Sequence, residues 1–512
     1  MRRIGIDVGG TNTDAVLIED GKVIRAVKAP TSEDVTTGIL DSLKSLGSTG
    51  ALKDKKVDGV MIGTTHFINA VVQRRHLTKV GALRLGMPAT STLPPFCDWP
   101  EDLATLVRGG VWMVEGGHEY DGRLFMPLDE AAVTKAAEEM KELGLKSVAI
   151  SAIFSPLDNT HERRAAELIT KVIPDAVITC SSDLGRIGLL ERENAGLLNA
   201  ALADLSRETI AAFEKSIRDS GIAAPLFITQ NDGTVAEASQ ARRLPVYSFA
   251  SGATNSMRGA AYLSGLQDAM VIDVGGTTTD VGQLKNGFPR EANSVVKVGG
   301  VRTLFRMPDL LSIGLGGGSH VQLDPLKVGP LSVGYKLLKD GIAFGGKQLT
   351  TTDIAIASGV LSLGDKSKVA HLDAATCKKV FDEAARLSEE AIDRMKTEAG
   401  DIKLIAVGGG AFLIPDKMAG VSEVIHVEHG DCANAVGAAI AQVSGECDQI
   451  FKDMTRVEAI AAAQGIANDR AVAAGAARDT LSTIESEDMP LAYLPGNSVR
   501  VRVRVVGDVA AT

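Results

Sequence analysis

The chain has no CxxC pair, and its five cysteines, Cys97, Cys180, Cys377, Cys432 and Cys447, are scattered and odd in number. That excludes a disulfide framework and fits a reducing compartment. No apolar run approaches the roughly 18 residues that a bilayer-crossing helix requires, so no membrane span is expected. The opening MRRIGIDVGG reaches an aspartate at residue 7; no secretory signal is expected, and the cytoplasm is the expected location. Positive charge is short: 54 Lys and Arg face 64 Asp and Glu, for a net charge of −10. Without a general positive field, neither nucleic acid nor anionic membrane is an expected partner. Neither the Walker A pattern GxxxxGK[ST] nor the GxGxxG fingerprint occurs, so the two commonest phosphate-binding loops are excluded. Aromatic residues are only 4% of the chain, whereas glycine reaches 54 residues, as suits an α/β protein with many tight turns. At 512 residues one hydrophobic core is too few, and two or three domains are expected.

What is present is one phrase used twice. IDVGGTNTD spans Ile6–Asp14 and IDVGGTTTD spans Ile272–Asp280, with eight of nine residues in common. Each copy follows an apolar run (RRIGIDVGG, AMVIDVGG) and precedes another (AVLI, VGQL), which predicts strand, tight turn, strand. Gly9, Gly10, Gly275 and Gly276 permit positive φ and let backbone N–H groups approach a ligand. Thr11, Thr13, Thr277 and Thr278 add hydroxyl donors. Asp7 and Asp273 end the strands, placed to hold a Mg²⁺ ion or its waters rather than to touch phosphate. A single DxGGT turn reads as a turn and no more. Two copies so far apart predict two lobes of like fold, each offering a hairpin to the phosphate tail of one nucleotide.

Paired phosphate hairpins resemble the superfamily of actin, the heat-shock chaperone ATPases and hexokinase. The resemblance implies an α/β, two-lobed actin-like ATPase fold: duplicated ribonuclease-H-like lobes with an interlobe nucleotide cleft. It also implies a Gly-rich adenosine turn after a late strand, matched by Gly408, Gly409 and Gly410 in IKLIAVGGGAFLIPDKM. Two small-residue helices should cross at the hinge, and 193–205 and 432–443 fit, although ordinary Ala-rich core helices would read the same way. A narrower resemblance, to the hydantoinase A / 5-oxoprolinase family, is carried in family order by RRIGIDVGGTNTDAVLIEDGKV, IGTTHFINAVVQRR, YDGRLFMPLDE, AISAIFSPLDNTHERRAAELI, LLNAALADL, PLFITQNDGTV and SIGLGGGSHVQLD. It implies ATP with Mg²⁺ as cofactors, and activation of an amide, lactam or imide carbonyl (or a related ketone or carboxylation substrate) by phosphorylation. Asp7, Asp273, Thr11 and Thr277 would be catalytic. A second, hydantoinase B-like subunit is an implied partner, and oligomer formation stays open. The stretch SGATNS at 251–256 departs from the family's SGPAGG.

The expected organisation is a first lobe at 1–190, a second at 191–445, and a tail at 446–512 returning to lobe one. In the tail, SVRVRVRVV alternates valine with Arg500, Arg502 and Arg504, a strand pattern that fits either a charged edge or a docking edge. Thr64, Thr65 and His66 in GTTHFINA are substrate or phosphate candidates at a helix start, with turn capping the alternative. His320 in LGGGSHVQLD is a further substrate candidate. Glu191 and Glu193 precede the first expected crossing helix and are either acids near the nucleophile or a solvated helix start. His426 and His429 read as surface loop. Two rival functions share these features: a small-molecule kinase, and a nucleotide-gated activator without chemistry.

Overall fold

The structure, a computed structural model, describes every residue except 10, 11, 31–34, 49, 51, 53–55, 185, 186, 293, 294, 305, 492–496, 511 and 512. Arg2–Val8 is buried at every position. It pairs antiparallel with Asn12–Glu19 and parallel with Gly59–Thr64, and its burial along its whole length is that of a strand covered on both faces. Among the described residues this becomes a nine-stranded sheet, ordered 482–490, 499–507, 442–451, 234–237, 226–229, 59–64, 2–8, 12–19, 22–30. The second phrase opens a six-stranded sheet, ordered 288–289, 279–285, 269–274, 402–407, 421–426, with 310–313 also pairing 279–285. The two sheets share a plan. Each has a hairpin whose inner strand runs parallel to a later strand and whose outer strand turns again, at Asp20-Gly21 in one and Asn286-Gly287 in the other. All four of those residues have positive φ, which such two-residue turns require.

Alternation along Asn12–Glu19 sorts its side chains to two faces. Leu17 joins Ile4, Ile6, Ile39 and Phe213 beneath the helices Val35–Gly47 and Ala203–Asp219. Val16 and Ile18 meet the helix Ala433–Ala439 on the other face. The six-stranded sheet likewise buries Met270, Ile272 and Val274 under Ala374–Met395. Its opposite face, with Val271 and Ile405, packs on Met257 and Ala260 of the helix Ser251–Ser264. Two helices, 251–264 and 433–439, therefore lie between the inner faces of the two sheets. The duplicated plan and this shared filling are the two-lobed actin-like architecture.

Three placements differ from the sequence reading. The strands 226–229 and 234–237, on the far side of the expected boundary at 191, pair within the first sheet. Residues 80–180 build their own four-stranded sheet, all parallel, ordered 108–115, 80–87, 147–152, 177–180. Its near-continuous apolar strands VGALRLGM and SVAISA mark a sheet covered on both sides. The arginine-bearing strand Val499–Gly507 is no edge: it sits between 442–451 and 482–490. No helix among the described residues is long and apolar enough to cross a membrane.

Candidate active site between two hairpins

The hairpins have one register. Asp7 stands opposite Asp14 and Val8 opposite Thr13, as Asp273 stands opposite Asp280 and Val274 opposite Thr279. The Gly9 N–H donates to the Asn12 carbonyl at 3.1 Å and the Gly275 N–H to the Thr278 carbonyl at 2.9 Å. Each strand end thus presents a cross-strand carboxylate pair. Burial, then the neighbouring charges of Asp14 and Asp273, push Asp7 up to about 7, against an opposing hydrogen bond from Asn434. Burial likewise pushes Asp273 up to about 6, helped by Asp280 and Asp14 and opposed by the Ser256 hydroxyl. The carboxylates of one hairpin are therefore within electrostatic reach of those of the other.

The two middle helices hold these acids. Asn434 Nδ2 donates to Asp7 Oδ2 at 2.8 Å and to Asp14 Oδ2 at 3.3 Å. Lys28 Nζ pairs with Asp14 Oδ1 at 2.8 Å. Asn255, from the SGATNS stretch, donates to Thr229 Oγ1 at 2.9 Å, and a Cβ on Gly63 would meet Asn255 Nδ2 at 2.5 Å and Asp7 Oδ1 at 2.8 Å. Only glycine fits at 63 between those groups. A Cβ on Gly408, whose φ is +88°, would strike Asp273 Oδ1 at 2.3 Å. The glycine turn at 408–410 is thereby seated on the second hairpin, and the Gly410 N–H donates to the Val274 carbonyl at 2.7 Å. Gly409 has open space where its Cβ would stand. The loop 315–319 backs the same hairpin: the Gly317 and Gly318 N–H groups donate to the Gly275 and Gly276 carbonyls at 3.0 and 2.7 Å.

Asp7 Oδ1 is buried and has no hydrogen-bond partner among the described residues. A carboxylate oxygen left in that state among other acids suits a cation nearby. Among the described residues no three His, Cys, Asp or Glu side chains converge as a complete ligand set. The orphaned oxygen fits Mg²⁺, which keeps most of its waters and takes one or two carboxylates plus phosphate oxygens. The residues present thus fit the ion.

Other candidates fall differently. Gly10 and Thr11 lie outside the described residues. Thr277 and Thr278 are exposed at the second turn, and Gly275 and Gly276 are half-buried there. Thr13 is fully buried, and its hydroxyl lies against Gly38. Strand alternation turns it away from the acids of its neighbours, and this corrects the expectation that it faces a ligand. Thr64 ends the strand beside Asp7, and its hydroxyl accepts the His66 N–H at 3.1 Å. Thr65 Cγ2 and Asp7 Oδ1 both border Gly252. His66 opens the helix His66–Gln73 half-buried, its pKa lowered by burial and by His76. His320 bridges to Thr350 just past the 315–319 loop. Glu193 belongs to a different network: Arg84 grips it, with one contact at 2.8 Å, and Ser151 donates to it at 2.6 Å. Glu191 pairs with Arg302 at 3.6 Å. His426 is 41% exposed beside Asp416, and His429 is 36% exposed in a turn at φ +61°.

The helix that crosses Ala433–Ala439 is Ser251–Ser264, not 193–205. A Cβ on Gly437 would lie 1.8 Å from the Asn255 carbonyl oxygen, and one on Gly259 would lie 1.8 Å from that of Ala433. Leu189–Ala201 packs instead on the four-stranded sheet. Sequence reading therefore missed Asn434, Lys28, Asn255 and Ser256. The signals available were the ninth residue of each phrase, Asp14 or Asp280, and the departure at 251–256.

Two family descriptions match the chain in order: the hydantoinase/oxoprolinase N-terminal region over residues 3–173, and hydantoinase/oxoprolinase over 192–395. The chain is 29% identical over 395 residues to the caprolactamase subunit alpha of Pseudomonas jessenii, covering 71% of this chain and 55% of that one. It is 25% identical over 409 residues to the acetophenone carboxylase gamma subunit of Aromatoleum aromaticum, covering 71% and 54%. The chain thus spans about half the length of these curated relatives. Among solved structures, the ATP-dependent caprolactamase from Pseudomonas jessenii matches with a TM-score of 0.81 at 21% identity, over 99% of this chain and 88% of that one. Nucleotide-free acetone carboxylase matches with a TM-score of 0.71 at 17% identity, over 100% and 89%. Those two likenesses are of fold. Taken with the paired hairpins and the two adjoining family matches, they place the chain: it belongs to the hydantoinase/oxoprolinase family.

Proposed function

We propose that this chain is an ATP-dependent hydrolase of cyclic amides, or the ATP-using subunit of one, that activates a lactam, imide or hydantoin carbonyl for ring opening. The observation that carries the reading is the matched register of the two hairpins, which sets a carboxylate pair at the strand end of each of two sheets, within electrostatic reach of one another. Amide nitrogen donates into its carbonyl, so hydrolysis at neutral pH is slow. Attack of the carbonyl oxygen on the γ-phosphorus forms a new O–P bond as the bond to ADP breaks, and leaves the carbon electrophilic. Water then adds to that carbon, the ring C–N bond opens with a proton passing to nitrogen, and a second water cleaves the resulting acyl phosphate to the acid and free phosphate. A carbonyl oxygen has no proton to give up, so the first step needs no general base.

The work left to the protein is alignment and charge stabilisation. Bound Mg²⁺ would neutralise charge spreading over the phosphate oxygens. Asp7 and Asp273 would hold the ion or its waters, Asn434 and Ser256 fix those carboxylates, and the Gly275 to Thr278 turn offers N–H and hydroxyl donors. The glycine turn at 408–410, open at Gly409, is assigned to the nucleoside. The relatives named above are described as subunits, which supports a separate partner for this chain.

Melting with and without Mg-ATP tests the reading. At a nucleotide concentration of 100 times Kd the expected gain is about 2.7 kcal/mol. Turnover with an accepted amide should yield the ring-opened acid and free phosphate. Melting that ignores millimolar Mg-ATP would remove the nucleotide assignment, and a stable phosphoester product would make the chain a kinase.

A further inference from the structure

A cavity of about 900 Å³ lies apart from the hairpin turns, between the four-stranded sheet and the first sheet. Its walls include Leu157 and Ser182, just past the strands 147–152 and 177–180, and Gln230–Asp232, just past the strand 226–229. Two arguments make it a ligand site rather than a packing gap. The four-stranded sheet is parallel, with its second strand in sequence placed to one side of its first and the third and fourth to the other. In such sheets ligands bind beyond the carboxyl ends of the strands, and this cavity opens past the third and fourth strands, on one side of the point where the order reverses. It also lies at the same edge of the nine-stranded sheet as Asp7. Asp7 stands opposite Gly63, and the strand holding Gly63 pairs with 226–229. Two strand spacings, roughly 10 Å, therefore separate the Asp7 level from the cavity wall. One helix turn touches both. Asn231 accepts from the Ala250 N–H at 2.8 Å and from Thr254 Oγ1 at 2.8 Å, and Gly252 borders Asp7.

The lining sets the class of ligand. Its inner charges are already answered. Arg306 is gripped by Glu291, Glu446 and Glu485, Arg500 forks Asp448 at 2.8 and 2.7 Å, and Asp183 is held by Arg163. Asp232 accepts from the Thr234 hydroxyl at 2.6 Å and faces Arg504 at 3.6 Å, and Glu237, Arg243 and Arg470 are exposed at the rim, where water and salt screen them. What remains for a ligand is neutral: Ser182 Oγ, unpartnered among the described residues, and the Gln449 amide, beside apolar Leu157 and Ile187. An ionised ligand would lose its hydration there without gaining a counter-ion. The volume falls in the upper part of the roughly 300–1,000 Å³ range of ligand sites, room for a ring with a side arm.

We propose that this cavity is the amide subsite and that it takes an uncharged cyclic amide bearing an uncharged side arm, in preference to one carrying a carboxylate. The proposal rests on the carbonyl-activation reading and adds to it the place and charge class of the substrate. Saturation-transfer NMR on the full chain with Mg-ATP, using 5-benzylhydantoin and 5-oxoproline as probes, tests it. The hydantoin should bind at least tenfold more tightly than oxoproline. Leu157→Trp, which fills the cavity, should weaken hydantoin binding at least tenfold, whereas Leu143→Trp, on an exposed helix end, should leave it as it was. Should Leu157→Trp fail to fold, Gln449→Leu keeps the volume and should weaken the hydantoin at least threefold. Equal or tighter oxoproline binding, no binding of either probe, or hydantoin binding indifferent to the cavity substitutions would overturn the assignment. Mg-ATP protection measured on the same samples separates the two failures: its presence with no probe bound removes the subsite alone, and its absence removes the reading beneath it.

Discussion

Asp7 is an acid kept where ionisation is costly. It is 5% exposed, and burial with Asp14 and Asp273 raises it to about 7. In the folded chain it binds a proton that the unfolded chain releases near pH 4. Between about pH 4 and 7 the folded state therefore holds the extra proton, and stability falls as pH rises through that window before levelling above it. Each unit of the gap is worth about 1.4 kcal/mol, so carrying the ionised group at pH 8 costs on the order of 2–4 kcal/mol. Asp7→Asn keeps the shape and can still accept from Asn434. It should melt higher than the parent at pH 8 without nucleotide, match it near pH 4, and lose ATP turnover by two orders of magnitude or more. Asp273→Asn should behave alike, with a narrower window set by its value of about 6. Melting curves at pH 4, 6 and 8 decide it; a variant less stable than the parent at pH 8 would mean the carboxylate is structural. That Asp7 and Asp273 stand at matching strand ends was legible because a phrase used twice marks them. Asn434 was not, since nothing near it in the chain points to an aspartate 427 positions away.

At the level of elements, the hairpins were legible and the helix pair only half so. Local rules fix a hairpin: apolar run, glycine turn, apolar run. Several stretches of this chain are rich in small residues, and sequence alone does not say which of them meet. The structure selects by glycine. Gly5 of the first strand admits the backbone of Ala435, Gly437 admits that of Asn255, and Gly259 admits that of Ala433, each at a distance no Cβ tolerates. Leu189–Ala201 carries a single glycine, Gly196, whose Cβ would find its nearest neighbours at 4.0 Å, so nothing there demands close approach. Even Gly437→Ala must therefore push the two middle helices apart. The displaced backbone is that of Asn255, and Asn434 lies one turn before residue 437. An ordinary overpacked core would lose roughly 1–3 kcal/mol and keep its chemistry. Here turnover in the folded fraction should fall on the order of 100-fold, because small misplacements of in-line groups are costly. Melting temperature and ATPase rate on one preparation separate the two; normal turnover beside a lowered melting point would reduce the pair to core packing.

At the scale of the molecule, the tail that sequence left as an edge strand is a joint. Val499–Gly507 lies inside the first sheet, and its arginines reach back to the other lobe. Arg502 and Arg504 each contact Glu291 at 2.8 Å, just past the short strand Phe288–Pro289 of the six-stranded sheet. Arg306, from the same segment as Glu291, contacts Glu485 of the first sheet at 3.0 Å and also grips Glu446 there. Phe288 lies under Arg258 at 3.8 Å and under Arg504 at 5.3 Å. The pattern of alternating Val and Arg was visible, but its partners stand some 200 positions earlier, so neither an exposed edge nor a docking edge describes it. Burial alone would raise Glu291; Arg306, Arg504 and Arg502 outweigh it and hold the carboxyl down to about 2. A depressed acid supplies stability that is whole above its unfolded value, near pH 4.5, and is lost as pH falls toward 2. Glu291→Gln should therefore flatten the acid limb of the stability curve between those values. At pH 7 it leaves three arginines short of one carboxylate, at a cost on the order of 2 kcal/mol for a partly exposed group. Because that carboxylate ties one sheet to the other, the loss should also show in cooperativity. Calorimetry should find one transition in the parent and a broadened or divided one in the variant. A single, equally sharp transition with an unchanged acid limb would mean that the middle helices alone join the lobes.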